Sequence, residues 1–111
     1  MSTITTHVLD TSVGGPAEGV SIVLEKKDGS QYTELNKVVT NSDGRVDELL
    51  PSPLTTGVFR LTFQTAEYFK KKGTKSFYPE ASIVFEIEDP SQHYHVPLLI
   101  SGFGYSTYRG S

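Results

Sequence analysis

Cysteine and tryptophan are absent from this sequence, and methionine occurs once. Without cysteine there is no disulfide, no thiolate metal site and no thiol nucleophile, which excludes both a stapled secreted scaffold and a thiol enzyme. No apolar run approaches the roughly 20 residues of a membrane-spanning helix. A basic excess is missing too. Ten Lys and Arg stand against thirteen Asp and Glu, a formal net charge of −3 with pI near 5.5. That balance leaves no electrostatic footprint for nucleic acid or an anionic membrane. The sequence also lacks a G-x-S-x-G elbow, an H-E-x-x-H helix and a glycine-rich phosphate loop. Met1-Ser2-Thr3-Ile4 has neither the basic nor the apolar region of a secretory signal, and Arg109-Gly110-Ser111 matches no peroxisomal or retention signal. A soluble, cytoplasmic protein is the expectation. A length of 111 residues suits one domain, 1–111, able to bury its own core.

What is present is a series of short runs rich in Val, Ile, Thr, Phe and Tyr, separated by Gly, Pro, Asp and Asn. This predicts antiparallel strands joined by turns, an all-β protein. Strands are expected near Thr3 to Asp10, Val20 to Lys27, Tyr32 to Val39, Arg45 to Leu49, Gly57 to Thr65, Ser82 to Ile87, Tyr94 to Ser101 and Tyr105 to Gly110. Eight strands suit a two-sheet sandwich. Val13 to Gly19, Lys27-Asp28-Gly29-Ser30 and Asn41-Ser42-Asp43-Gly44 read as turns. One short helix is predicted over Thr65 to Lys72, with Gly73 as its cap; Lys70, Lys71 and Lys72 complement its negative pole and read as a solvated end.

Side chains on a strand alternate between faces with a period of two. On the first strand Ile4, Thr6 and Val8 share the core face, and Thr5, His7 and Leu9 the other. Near the end of the chain Tyr94, Val96, Leu98 and Ile100 form one apolar row, opposite His93, His95, Pro97 and Leu99. His7 and His95 thus both face away from the core, on surfaces whose apolar content points to cover by another subunit. A histidine there can act as general acid or base, or be a hydrogen-bonded structural group. Arg45, directly after a turn glycine, can stabilise developing oxygen charge or be an ordinary surface arginine. Tyr108 and Arg109 read locally as packing and solvated surface, and Ser111 offers a hydroxyl and a carboxylate at a chain end that ordinarily frays. His93-x-His95, with His7 as a conceivable third ligand, is a weak metal pattern. Glu86-Ile87-Glu88-Asp89 reads as a solvated strand end.

Nearly the whole chain resembles the transthyretin-related family of 5-hydroxyisourate hydrolases. The resemblance rests on ITTHVLD at residues 4–10, Gly15-Pro16-Ala17, Asp43-Gly44-Arg45, HYHVPLLIS at 93–101 and the run from Gly104 to YRGS at 108–111. YRGS separates these hydrolases from transthyretin proper, a hormone carrier of the same fold. Gly102 departs from the pattern where many relatives have proline, a change confined to a turn. The resemblance implies a prealbumin-like sandwich of two four-stranded sheets, assembled as a homotetramer whose central channel holds the site. It implies hydrolysis of 5-hydroxyisourate to 2-oxo-4-hydroxy-4-carboxy-5-ureidoimidazoline in urate degradation, with no metal and no organic cofactor. Carried over residue by residue, it makes His7, Arg45, His95 and Ser111 catalytic; His7, Arg45 and Tyr108 bind the substrate, and His93 receives no role. Two rival readings are a non-catalytic transthyretin-like carrier of small ligands and a structural sandwich module. The first is disfavoured by the bulk of Tyr108 and the polar groups that would line the channel, and the second leaves the histidines and YRGS unexplained.

Overall fold

The structure, a computed structural model, describes residues 3–50 and 54–110. Along the chain the elements are β1 (Ile4–Asp10), β2 (Gly15–Pro16), β3 (Ser21–Asp28), β4 (Gln31–Val39), β5 (Arg45–Val46), β6 (Gly57–Phe63), α1 (Thr65–Lys71), β7 (Ala81–Ile87), β8 (Tyr94–Ser101) and β9 (Gly104–Thr107). One sheet runs β2-β1-β8-β9 with β5 also paired to β1, and the other runs β4-β3-β6-β7. The predicted all-β sandwich is present, and the two-residue β2 adds a fifth strand to one sheet. No helix among the described residues is long and apolar enough to cross a membrane.

Two expected strands are shorter than their sequence suggests. At β5 the acidic pair Asp47 and Glu48 stays in solvent, after which Leu49 returns to the core and donates its N–H to the Ile4 carbonyl at 3.2 Å. Past β9, Tyr108 and Arg109 leave the ladder, and Gly110 rejoins it as an isolated bridge opposite His95.

Alternation governs the core. Ile4, Thr6, Val8 and Asp10 of β1 are buried while Thr5, His7 and Leu9 between them are half-buried. Tyr94, Val96, Leu98 and Ile100 of β8 are buried in the same way. They meet Leu24, Phe59, Leu61 and Phe63 of the second sheet in one apolar cluster. Burying each large side chain stabilises by roughly 1.5–3 kcal/mol, and a one-residue slip would turn every one of them outward, so the register is strongly specified.

Asp10 is the exception in that row, a carboxylate 1% exposed. It accepts hydrogen bonds from the Tyr68 hydroxyl at 2.8 Å and from the Ser12 N–H at 3.0 Å, with the Ser12 hydroxyl as a third donor. Lys72, just past the helix, lies 3.6 Å from Asp10 and donates to the Tyr68 hydroxyl at 3.2 Å. The solvated reading therefore fits Lys70 and Lys71, but Lys72 is tied back to the buried network that docks α1 on β1. Burial alone would push the Asp10 carboxyl up; the Ser12 and Tyr68 hydrogen bonds and the Lys72 charge outweigh it, and its pKa is lowered. A lowered folded pKa gives a contribution present above the unfolded value of about 3.9 and lost as pH falls through the folded one. Denaturant unfolding from neutral to acidic pH should show that loss, and Asp10→Ala should flatten it. The same variant should lower stability at neutral pH by about 1–3 kcal/mol, because it leaves the buried Tyr68 hydroxyl without its acceptor.

Candidate active site

Parallel pairing of β1 with β8 sets Thr5 beside His95, His7 beside Pro97 and Leu9 beside Leu99. On the other edge of β1, antiparallel β5 sets Arg45 beside His7. Strand neighbours lie about 4.8 Å apart, so these positions form one contiguous patch on the face turned away from the core. His7, Arg45 and His95 are thereby brought together from three strands.

Arg45 owes its place to the turn before it. The Asn41 side-chain oxygen accepts from the N–H of Asp43 at 2.9 Å and of Arg45 at 3.0 Å, and the Gly44 N–H donates to the Asn41 carbonyl at 2.9 Å. Gly44 has φ of 74° and its carbonyl accepts the Val8 N–H at 2.7 Å. A Cβ there would collide with the Val8 carbonyl oxygen. Only glycine lets the turn lie flush against β1 and start β5 at Arg45.

His95 is half-buried, with Nδ1 2.7 Å from the Thr5 hydroxyl oxygen. The same hydroxyl lies 3.0 Å from Nε2 of His93, whose ring is stacked 6.4 Å from that of His95. Burial, then the charges of Arg45, His93 and His7, push the His95 pKa down from its ordinary value, and the Thr5 backbone acts weakly against them. The ring is therefore neutral at neutral pH and able to accept a proton. Thr5 was not among the site residues expected from the sequence. Its one signal there is parity, since it shares the face of His7.

The last described residues fold over His95. Gly110 donates its N–H to the His95 carbonyl at 2.9 Å, and a Cβ on Gly110 would sit 2.6 Å from Cδ2 of the His95 ring. Arg109 is exposed, as its sequence reading expects, yet it also lies 4.4 Å over the Tyr94 ring and donates to the Gln92 side chain at 2.9 Å, contacts that hold the tail. Tyr108 is exposed; it lines a pocket of about 250 Å³ with His95, Tyr94, Phe85 and Thr107, and neither His7 nor Arg45 lines that pocket. Tyr108 thus shares this pocket with His95 alone of the three clustered residues. Ser111 lies outside the described residues. As for metal, no three His, Cys, Asp or Glu side chains among the described residues converge as a ligand set, and the facing nitrogens of His93 and His95 are both engaged with Thr5.

This arrangement offers two half-buried imidazoles, one of them neutral, and an exposed guanidinium on one face, a set suited to proton transfer beside a stabilised oxyanion. Known proteins of similar sequence and structure narrow the chemistry. The 5-hydroxyisourate hydrolase of Mus musculus is 46% identical over 113 residues, covering 99% of this chain and 96% of that one. The solved structure of Klebsiella pneumoniae 5-hydroxyisourate hydrolase superposes with a TM-score of 0.89 at 42% identity, covering 99% of this chain and all of that one. Sea bream transthyretin in complex with thyroxine superposes with a TM-score of 0.92 at 28% identity, covering 96% of this chain and 93% of that one. A model of the HIUase/Transthyretin family matches residues 4–110, and the chain belongs to that family.

Proposed function

We infer that this chain, as one transthyretin-like domain, hydrolyses the cyclic amide of 5-hydroxyisourate to 2-oxo-4-hydroxy-4-carboxy-5-ureidoimidazoline in urate degradation. The observation that carries the reading is the adjacency of His7, Arg45 and His95 through the β5-β1-β8 register. The identity to proteins named 5-hydroxyisourate hydrolase, 42–46%, against 28% to a thyroxine-bound transthyretin, favours hydrolysis over carriage. In this mechanism the histidine pair takes a proton from water as its oxygen bonds to the amide carbonyl carbon. Arg45 holds the planar substrate and stabilises the oxyanion, and the proton is returned to the ring nitrogen as the C–N bond breaks. Tyr108 shapes the substrate pocket and Ser111 holds water or substrate. No step calls for a metal or an organic cofactor.

His7→Asn, His95→Asn and Arg45→Ala should each lower kcat/KM by about two orders of magnitude or more with the fold retained, a common scale for losing an acid–base or oxyanion group. Substrate generated in place by urate oxidase and followed by its ultraviolet decay is the assay; a folded variant at full activity removes that residue from the site. Arg45→Ala should also raise the His95 pKa in an NMR titration, since it deletes a positive charge that disfavours the imidazolium.

The tail has a separate test. Deleting Tyr108 to Ser111 removes the Gly110 contact with His95 and the Arg109 contacts that hold the tail, and most activity should go while circular dichroism stays native. Full activity after the deletion would assign the tail a purely structural role.

Assembly as a cytoplasmic homotetramer belongs to the same reading. The face of His7 and His95 also carries Leu9 and Leu99, each half-buried in a single chain, which a second subunit would cover. Sedimentation of the 12.2 kDa chain should give four copies, and an active monomer would overturn a site built at a subunit interface.

A further inference from the structure

We propose that Thr5 is a positioning residue for His95: its oxygen accepts the His95 Nδ1–H, its own proton goes to Nε2 of His93, and Nε2 of His95 is left as the basic nitrogen. The proposal rests on the reading of His95 as a proton-transfer group.

The argument is one of counting protons. The Thr5 oxygen lies 2.7 Å from Nδ1 of His95 and 3.0 Å from Nε2 of His93. A hydroxyl has a single proton to donate, so at most one ring receives it and the other must donate. If Thr5 donated to His95, that ring would carry its proton on Nε2 and could not accept another there. On charging, it would then turn an Nδ1–H toward the hydroxyl hydrogen across 2.7 Å until the hydroxyl rotated. In the opposite arrangement Thr5 accepts from Nδ1–H both before and after Nε2 takes a proton, and nothing need rotate. His93, exposed at the other side of the hydroxyl, is the acceptor that keeps the Thr5 proton away from His95. It thus gains a part in the site that its sequence position did not suggest. The ionisable groups around His95 are His7 from β1, Arg45 from β5, Glu86 from β7, Tyr94 from β8, His93, and Tyr108 and Arg109 from the tail. Among the described residues, Thr5 is the one hydroxyl bonded to both rings.

Long-range proton–nitrogen NMR of the nitrogen-labelled full chain without substrate reads the tautomer directly. His95 should carry its proton on Nδ1, and in Thr5→Val the population should move toward Nε2–H. Hydrogen bonds that fix a histidine tautomer from behind are worth about 10–100-fold where they have been removed, mostly around metal-bound rings, and kcat of Thr5→Val should fall on that order with KM little changed. The acid limb of its kcat/KM profile should move to lower pH, because the charged ring loses an acceptor. Thr5→Ser, which keeps the hydroxyl, should recover most of the rate and the wild-type tautomer. A wild-type His95 found with its proton on Nε2 overturns the proposal whatever the kinetics, as does a Thr5→Val enzyme of unchanged kcat and tautomer. If His95→Asn is fully active, the reading of the site fails, and the tautomer result still stands or falls separately.

Discussion

The parallel ladder between β1 and β8 is the constraint on which the site depends. Antiparallel neighbours alternate between two kinds of pair, but a parallel pair runs both strands in the same phase over its whole length. Here seven consecutive residues are in register, from Ile4 beside Tyr94 to Asp10 beside Ile100. The inward row is held by burial and by the Thr6 hydroxyl, which donates to the Val96 carbonyl at 2.6 Å. Because the inward residues cannot slip without exposing the core, the outward ones cannot slip either. The adjacency of Thr5 with His95 is thus maintained by packing on the opposite side of the sheet, and the polar cluster need not stabilise itself.

The other pieces attach to that ladder by contacts that tolerate only small residues or satisfied polar ones. Gly44 presses the 41–44 turn onto Val8 and so starts β5 at Arg45. Gly110 brings the tail down on His95 where a larger residue would strike the ring. At the far end of β1, Asp10 is buried with each carboxylate oxygen engaged, and it anchors α1 through Tyr68. That ion lies on the core parity of the strand and the histidine on the outer parity, so the two polar clusters are insulated from each other by the sheet itself. The packed core and the proposed chemistry are accordingly divided between the two faces of one strand.

Much of this was legible in the sequence because a period of two is a local property. Alternation at Ile4 to Asp10 and Tyr94 to Ser101 identified the core rows and set His7 and His95 outside them, and the burial along both strands agrees. Arg45 after a turn glycine was legible for the same reason. What was not legible depends on register between distant segments. Thr5 is an ordinary strand former until it is set against a residue 90 positions away. Arg109 is solvated as read, but its contacts with Tyr94 and Gln92 were not legible because those partners lie on another stretch of chain. Lys72 belonged by composition to a solvated run, and only the buried carboxylate beneath it separates it from Lys70 and Lys71.

Backbone similarity by itself does not discriminate the activity. The thyroxine-bound transthyretin superposes slightly better than the Klebsiella hydrolase, 0.92 against 0.89, although its sequence is the more distant. A scaffold shared so closely has to host different functions through side chains rather than through topology. The two-faced strand explains how that is possible. Substitutions at the inward positions of β1 and β8 are penalised by the core, whereas His7, Arg45, His95 and Thr5, the residues of the proposed site, lie outside the packed layer and can be exchanged without disturbing it. A hydrolytic face and a carrier face can therefore be built on the same sandwich, provided the polar groups of the former are oriented as well as present. In this chain that orientation is supplied from behind the imidazole, by a hydroxyl whose place is dictated by the core.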